Sequence, residues 1–273
     1  MKHYKAPAKV NIFLKITGRR GDYHEILSRF MVVEQLYDLL YFFPKETPEF
    51  AIDGDFACET EQNTIYKAYR ALLEATGSAE LERLMMTHGV GVNKHIPAFA
   101  GLGGGSSDAA TYLKMCNEVL HLGLSREELA SVGMKVGADV PFFVYGYPSA
   151  NVSGIGEIVV PFDEAPLPIQ TRTPPIEIST PAVYRRFRES FYKELPAERY
   201  DDFAGTDSAA LLNRLSADEA NDLFEPALSL YPELKEHYRH GWFFSGSGSS
   251  FFRIVPDPAI PTDGSARSTE GSA

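Results

Sequence analysis

Between positions 97 and 108 the chain reads Pro-Ala-Phe-Ala-Gly-Leu-Gly-Gly-Gly-Ser-Ser-Asp, and no other stretch restricts its fold as much. A short alternating apolar segment precedes it (Val90 and Val92, with Ile96 just beyond), and an unbroken helical pattern follows from Ala109 to Leu120. Glycines admit positive φ and let backbone amides approach a ligand without a Cβ in the way. A helix N-terminus leaves several N–H donors unpaired and carries partial positive charge, so strand, glycine loop and helix together form an anion cradle. The anion expected here is a phosphate.

Three familiar glycine loops are tested against these residues. A Walker A loop needs Gly-Lys-Ser/Thr, and Gly105 is followed by Ser106 and Ser107 with no lysine in the loop. The dinucleotide fingerprint needs a third glycine where this chain has Ser106, and an acid ending the next strand, whereas Glu127 and Glu128 open a helix. A protein-kinase loop requires His-Arg-Asp and Asp-Phe-Gly segments, and neither occurs. A connection that binds nothing and a non-catalytic nucleotide sensor remain as alternatives at this point.

The rest of the chain reads as a mixture of strands and helices. Residues 6–17 are predicted as a strand with Val10, Ile12, Leu14 and Ile16 on one face and Lys9, Asn11, Phe13 and Lys15 on the other. A charged turn at 18–22 leads to a second β region over 30–43, broken at Glu34-Gln35. Residues 63–76 keep helical spacing through Ile65, Ala68, Tyr69, Leu72 and Leu73, with Asn63 as N-cap and Gly77 as the stop. Ser125 and Glu128 form a capping box for a helix ending near Gly137. A hairpin is expected over 149–160, a proline-rich connection over 161–175 and a strand over 176–178. Helices follow near 181–193, 207–215 and 217–240, the last broken by Pro226 and Pro232. Residues 242–252 read as strand, Gly/Ser loop and strand. The expectation is an α+β protein of two packed domains, residues 1–148 and 149–255, with the ligand in the cleft between them and a disordered tail over 256–273.

Charge and cysteine usage narrow the function classes. A net charge of −11 disfavours nucleic-acid and anionic-membrane partners, although local amides and lysines still admit a small anionic ligand. The two cysteines, Cys58 and Cys116, supply neither a disulfide framework nor metal spacing, in keeping with a reducing compartment. Lys9, Asn11 and Lys15 interrupt any apolar leader, and no apolar run reaches the ~20 residues that span a bilayer. A cytoplasmic protein is expected.

The glycine run resembles the central motif of the GHMP kinases, the superfamily of galactokinase, homoserine, mevalonate and phosphomevalonate kinases. Two companion segments stand in the expected order: Pro7-Ala8-Lys9-Val10-Asn11-Ile12, and residues 244–251, Phe-Ser-Gly-Ser-Gly-Ser-Ser-Phe. Asp22-Tyr23-His24 and the run Gly-Ala-Asp-Val-Pro-Phe-Phe from Gly137 are similar to members that act on a cytidine diphosphate-linked methylerythritol. The resemblance covers residues 5 to about 252. It departs from the pattern at Ala98-Phe99-Ala100, where relatives often carry more glycine, and in the short region after the last motif.

The resemblance implies a two-domain GHMP kinase fold and ATP-dependent phosphorylation of that substrate's 2-hydroxyl. It makes Lys9 and Asp139 the catalytic pair, with Asp139 as general base. Taken alone, Asp139 is equally well an aspartate ending a turn. Pro97, Ala98, Phe99, Ala100, Gly101, Leu102, Gly103, Gly104, Gly105, Ser106 and Ser107 would wrap the ATP phosphates, with Asn63 and Lys94 near the adenine. Lys94 reads equally as an exposed strand-end lysine, and Lys15 as a solvated one. Asn11 would hold the substrate, Tyr23 and Tyr184 would sandwich its cytosine, and His24 would read the base edge. Thr180 would contact phosphates or polyol, and the Gly246/Gly248 loop would support the phosphate loop or the substrate diphosphate. Mg²⁺ is implied by the reaction, with no protein ligand assignable.

Overall fold

In the computed structural model, which describes residues 2–192 and 197–255, two long antiparallel strands form the spine: β1 (Tyr4–Arg20) and β2 (Tyr23–Pro44). They pair from Tyr4↔Leu40 to Arg20↔Tyr23, around a turn in which Gly21 supplies φ 62°. Asn11 pairs with Phe30 and Phe13 with Arg29, so Ile12 is an unpaired bulge residue. A bulge moves the following side chains to the opposite face. The simple alternation predicted for residues 6–17 is therefore corrected at Ile12. Leu14, not Lys15, joins Lys9 and Asn11 on the wall of the cleft. Lys15 is no solvated lysine: it is buried, with Nζ 2.7 Å from Asp222 Oδ1 and 5.1 Å from the Phe203 ring centre. The break expected at Glu34-Gln35 is a second irregularity, where pairing jumps from Val33↔Ala8 to Tyr37↔Pro7 within a continuous β2.

Around this spine lie β3 (Ile52–Asp53), helices α1 (Thr64–Thr76) and α2 (Ala79–Thr87), and β4 (His88–Asn93). Next come α3 (Gly104–Val119), α4 (Arg126–Met134), α5 (Val140–Tyr145) and the hairpin of β5 (Ser149–Gly154) and β6 (Ile158–Pro161). The sheet order is β3-β4-β2-β5-β6, with β1 paired to β2 along its length. The predicted division after residue 148 thus falls just before a hairpin that extends this six-stranded sheet. The Asn63 carboxamide caps α1 by accepting from Ile65 N at 2.9 Å, and Ser125 and Glu128 complete both bonds of their capping box. Phe30, Val90, Leu72, Tyr112, Leu113 and Phe142 pack the space between the sheet and helices.

The remaining residues form β7 (Ile169–Arg172), six short helices and a small sheet in the order β7-β9-β8, with β8 at Phe243–Phe244 and β9 at Phe251–Ile254. The helices are α6 (Thr180–Ser190), α7 (Ala197–Gly205), α8 (Ser208–Arg214), α9 (Ala217–Ala220), α10 (Phe224–Leu230) and α11 (Leu234–His237). The strand expected over 176–178 is not formed. Ile169–Arg172 pairs with β9 instead, inside the segment read as a proline-rich connection. Pro174 and Pro175 have no N–H to give a ladder, which isolates residues 176–178 from strand pairing. The helical region of 217–240 is divided by Asn221, whose Nδ2 donates to Phe244 O and Gly246 O, and by Pro232. Pro226 breaks nothing, because it sits in the first turn of α10, where an N–H has no helical partner. The predicted tail over 256–273 lies outside the described residues, as does the expected helix end at residue 193.

Candidate active site

The cleft of about 690 Å³ is lined by β1, the glycine loop, the starts of α1 and α3, Asp139, α6 and the loop between β8 and β9. Helix α3 begins at Gly104, five residues before the apolar pattern, so residues 104–107 are its first turn rather than loop. Gly103 occupies its N-cap with φ 71°, and a Cβ there would stand 2.9 Å from the Phe143 ring. Gly101 has φ 73°, and a Cβ would meet Ser245 O at 2.1 Å. Both positions therefore require glycine twice over, by conformation and by space. Phe99, at φ 51°, is a left-handed non-glycine residue, 54% exposed, at the rim of the cleft.

The last strand-loop-strand segment braces this loop. Ser245 Oγ donates to Gly101 O at 2.9 Å, and Ser250 N donates to Ala100 O at 3.1 Å. Lys9 N reaches Leu102 O at 2.9 Å from the other side. Gly246 and Ser247 reach the cleft wall, where Ser247 Oγ lies 2.6 Å from Thr180 Oγ1.

Lys9 and Asp139 meet in the cleft, with Nζ 3.3 Å from Oδ2. The same Nζ donates to Asn11 Oδ1 at 2.7 Å and to Gly101 O at 3.1 Å, and it lies 4.6 Å from the centre of the Phe30 ring. Asn11 is oriented in turn by Nδ2 donating to Ser28 Oγ at 2.9 Å. Lys9 is 3% exposed, so its charge depends on these partners. Asp139 stands at the N-cap position of α5, yet its side chain makes no capping bond, and its carboxylate remains 30% exposed to the cleft. A carboxylate held beside an ammonium and open to ligand has the geometry of a general base.

Lys94 is neither exposed nor unpartnered. Its Nζ donates to Asp38 Oδ2 and, at 2.7 Å, to Asp108 Oδ2. Burial works against the ammonium, but Asp108 and Asp38 prevail and hold its pKa above the ordinary lysine value. Asp38 Oδ1 also accepts from His95 N at 2.5 Å and from Ile96 N at 2.9 Å. Burial raises the Asp108 carboxyl to about 7, with Lys94 pulling down and Asp38 pushing up. Neither aspartate emerged from the sequence reading as a site residue. An acid inside the apolar run Leu36-Tyr37-Asp38-Leu39-Leu40 was the available signal. Asn63 and Thr64 line the same end, and Thr64 Oγ1 donates to Gly105 O at 2.6 Å.

At the opposite end the sequence-predicted aromatics are only partly together. Tyr184 lines the cleft and faces His24, with ring centres 5.1 Å apart and planes at 33°. Burial raises the Tyr184 hydroxyl pKa, with Asp139 and Asp222 adding to the effect. Tyr23 projects from the β1–β2 turn, 66% exposed, and neither it nor His24 belongs to the cleft lining. His24 is held below the ordinary imidazole value by burial and by Arg188 and Arg19. Its Nε2 is buried with no protein partner. Among the described residues no group of three or more His, Cys, Asp or Glu is placed to hold a metal ion.

Residues 63–147 match the GHMP kinases N terminal domain. The chain is 62% identical over 258 residues to the 4-diphosphocytidyl-2-C-methyl-D-erythritol kinase of Sulfurimonas denitrificans, covering 93% of this chain and 97% of that protein. A crystal structure of 4-(cytidine 5'-diphospho)-2C-methyl-D-erythritol kinase is 34% identical and superposes with a TM-score of 0.71 over 94% of this chain and 91% of its own. The mevalonate kinase of Methanococcus jannaschii shares the fold at 12% identity, with a TM-score of 0.58 over 93% of this chain and 90% of its own.

Proposed function

The chain belongs to the GHMP kinases, among the 4-diphosphocytidyl-2-C-methyl-D-erythritol kinases, and we propose that it moves the γ-phosphoryl group of ATP onto the 2-hydroxyl of 4-(cytidine 5'-diphospho)-2-C-methyl-D-erythritol. The products are the 2-phosphate and ADP, in non-mevalonate isoprenoid precursor synthesis. The observation that carries the reading is the 3.3 Å Lys9–Asp139 pair, tied through the Gly101 carbonyl to a glycine loop that opens a helix.

In this reading Asp139 Oδ accepts the 2-hydroxyl proton as the substrate oxygen bonds to the γ-phosphorus and the bridging oxygen leaves with ADP. Lys9 holds Asp139 in place, and its charge favours the negative charge growing on the attacking oxygen. Residues 97–107 surround the polyphosphate, with the first turn of α3 offering amide donors and helix-end charge. Asn63 and Lys94 serve the nucleoside end of ATP. Asn11 and Thr180 position the polyol and its phosphates, while Tyr23 and Tyr184 enclose the cytosine and His24 hydrogen-bonds its edge. Residues 1–148 are then the nucleotide-binding part, and 149–255 supply Thr180 and Tyr184. Mg²⁺ would accompany the nucleotide. The oxygen lining at Ser106 and Asp139 suits this hard cation, whose shell is commonly completed by phosphate and water.

The cellular setting we infer is the cytoplasm. Cys58 and Cys116 are both free thiols, and no described helix is long and apolar enough to cross a membrane. The decisive experiment supplies the purified protein with ATP, Mg²⁺ and the cytidine diphosphate substrate and follows ADP and the new phosphomonoester by ³¹P NMR. Stoichiometric appearance of both is expected. Turnover of mevalonate or homoserine without turnover of that substrate would overturn the assignment.

A further inference from the structure

Asn221 does not line the cleft, yet its bonds bear on two of the cleft's walls. It is buried, with Nδ2 donating to Phe244 O and Gly246 O, both at 2.9 Å, and Oδ1 accepting from Leu223 N at 2.9 Å. Strand β8 is the edge of its three-stranded sheet. The Asn221 amide gives that strand and the loop after it the donors that a further strand would supply. The backbone beside it is fastened to β1. Asn221 forms a parallel bridge with Leu14, and Asp222 N donates to Leu14 O at 3.0 Å. The Asp222 carboxylate accepts from Ile16 N at 2.8 Å and from Lys15 Nζ at 2.7 Å. Leu14 lines the cleft on the strand that carries Lys9 and Asn11. One short segment between α9 and α10 thus joins the strand of Lys9 to the closing loop.

What this grip controls follows from the loop's other contacts. The two carbonyls held by Asn221 flank Ser245. Ser247 stands next along, on the cleft wall, with Oγ 2.6 Å from Thr180 Oγ1. The loop has no room to slide inward for other partners: a Cβ on Gly246 would lie 3.3 Å from Gly101 O and 3.4 Å from Asn11 Oδ1. Without the amide, two buried carbonyls lose their donor, and relief lies in moving outward toward water. That motion carries Ser247 away from Thr180. The glycine loop depends on the grip much less. Among the bonds that brace it, that from Ser245 Oγ starts in the gripped stretch, whereas those from Ser250 N, Lys9 N and Lys9 Nζ do not.

Resting on the kinase reading above, we propose that Asn221 is a positioning residue for the phosphoryl acceptor. Through the Phe244 and Gly246 carbonyls it sets Ser247 against Thr180, and so fixes the Thr180 hydroxyl on the substrate side of the cleft. The seat of the nucleotide keeps its own braces and is left nearly unchanged when Asn221 is lost.

Steady-state kinetics of the full chain, with both KM values measured for every variant, tests it. Asn221→Ala should raise the KM for the cytidine substrate about tenfold, the cost of about one lost hydrogen bond, and leave the KM for ATP within about twofold of the wild type. A residue that only stabilises the fold behaves otherwise: a smaller folded population lowers the apparent kcat and moves neither KM. Ser247→Ala should raise the KM for the cytidine substrate about tenfold as well. Adding Asn221→Ala to it should raise that KM by less than about twofold more, because the path is already cut. An unchanged KM for the cytidine substrate in Asn221→Ala overturns the proposal, as does an equal rise in both KM values. Full additivity of the two substitutions overturns it too. Should Asn221→Ala fail to fold, Ser247→Ala decides alone, and an unchanged KM for the cytidine substrate there overturns the proposal. Absence of turnover by the wild type overturns the kinase reading and this proposal together, whereas every outcome above leaves that reading in place.

Discussion

The phosphate end and the base end of the cleft are built on different terms. At the phosphate end, backbone carbonyls of three successive residues, 100, 101 and 102, each accept a bond from a distant part of the chain. At the base end, Tyr23 is 66% exposed, and the buried His24 Nε2 has no protein partner. The first arrangement shares its contacts with the core. The second depends on a few rings at the tip of a hairpin and on one face of α6. Substitutions at the phosphate end should therefore damage folding and chemistry together, whereas those at the base end should change substrate affinity alone.

The sharpest test lies between the ends. Asp139→Asn removes the proton acceptor while keeping the shape, and kcat should fall about 10²- to 10⁴-fold with ATP affinity little changed. Isothermal titration with MgADP beside the rate measurement checks both halves. Loss of nucleotide binding with intact turnover would contradict the role. Gly101→Ala should destabilise the fold by about 3 kcal/mol, because a Cβ would meet Ser245 O at 2.1 Å in a left-handed conformation. Urea denaturation reads this out, and a neutral result would break the claim that the loop is rigidly braced. Tyr184→Ala should raise the KM for the cytidine substrate about 5- to 100-fold, the range of a lost base stack, while kcat stays within a few-fold of the wild type. Tyr23→Ala should do the same more weakly, about 2- to 5-fold, given its exposure. A fall in kcat comparable to that of Asp139→Asn would erase the contrast between the ends.

Legibility in the sequence follows the range of the interactions. The Asn63 cap, the Ser125–Glu128 box, the helix that opens at the glycines and the closing strand-loop-strand are short-range chemistry, and they could be read directly. The bulge at Ile12 could not, because register is decided by the partner strand rather than by the alternation of one. Lys15 looked solvated because Asp222 and Phe203 lie about two hundred residues away along the chain. Lys94 was ambiguous for the same reason: one of its acids lies on β2 and the other on α3, and only the fold brings the two to one ammonium. A β7 of four residues carries too little pattern to stand out inside a proline-rich stretch.

The Gly101 carbonyl, which accepts from both Lys9 Nζ and Ser245 Oγ, also bears on how the molecule comes into being. Chains are made from the N-terminus, and domains fold as their residues emerge. Lys9, the glycine loop and Asp139 are all synthesised more than a hundred residues before Ser245. Until then the loop lacks the bonds from Ser245 and Ser250 that brace its backbone, so a nascent chain holds the reactive groups without a completed seat for the phosphates. Competence for catalysis thus arrives late in synthesis, with a serine near the end of the described chain.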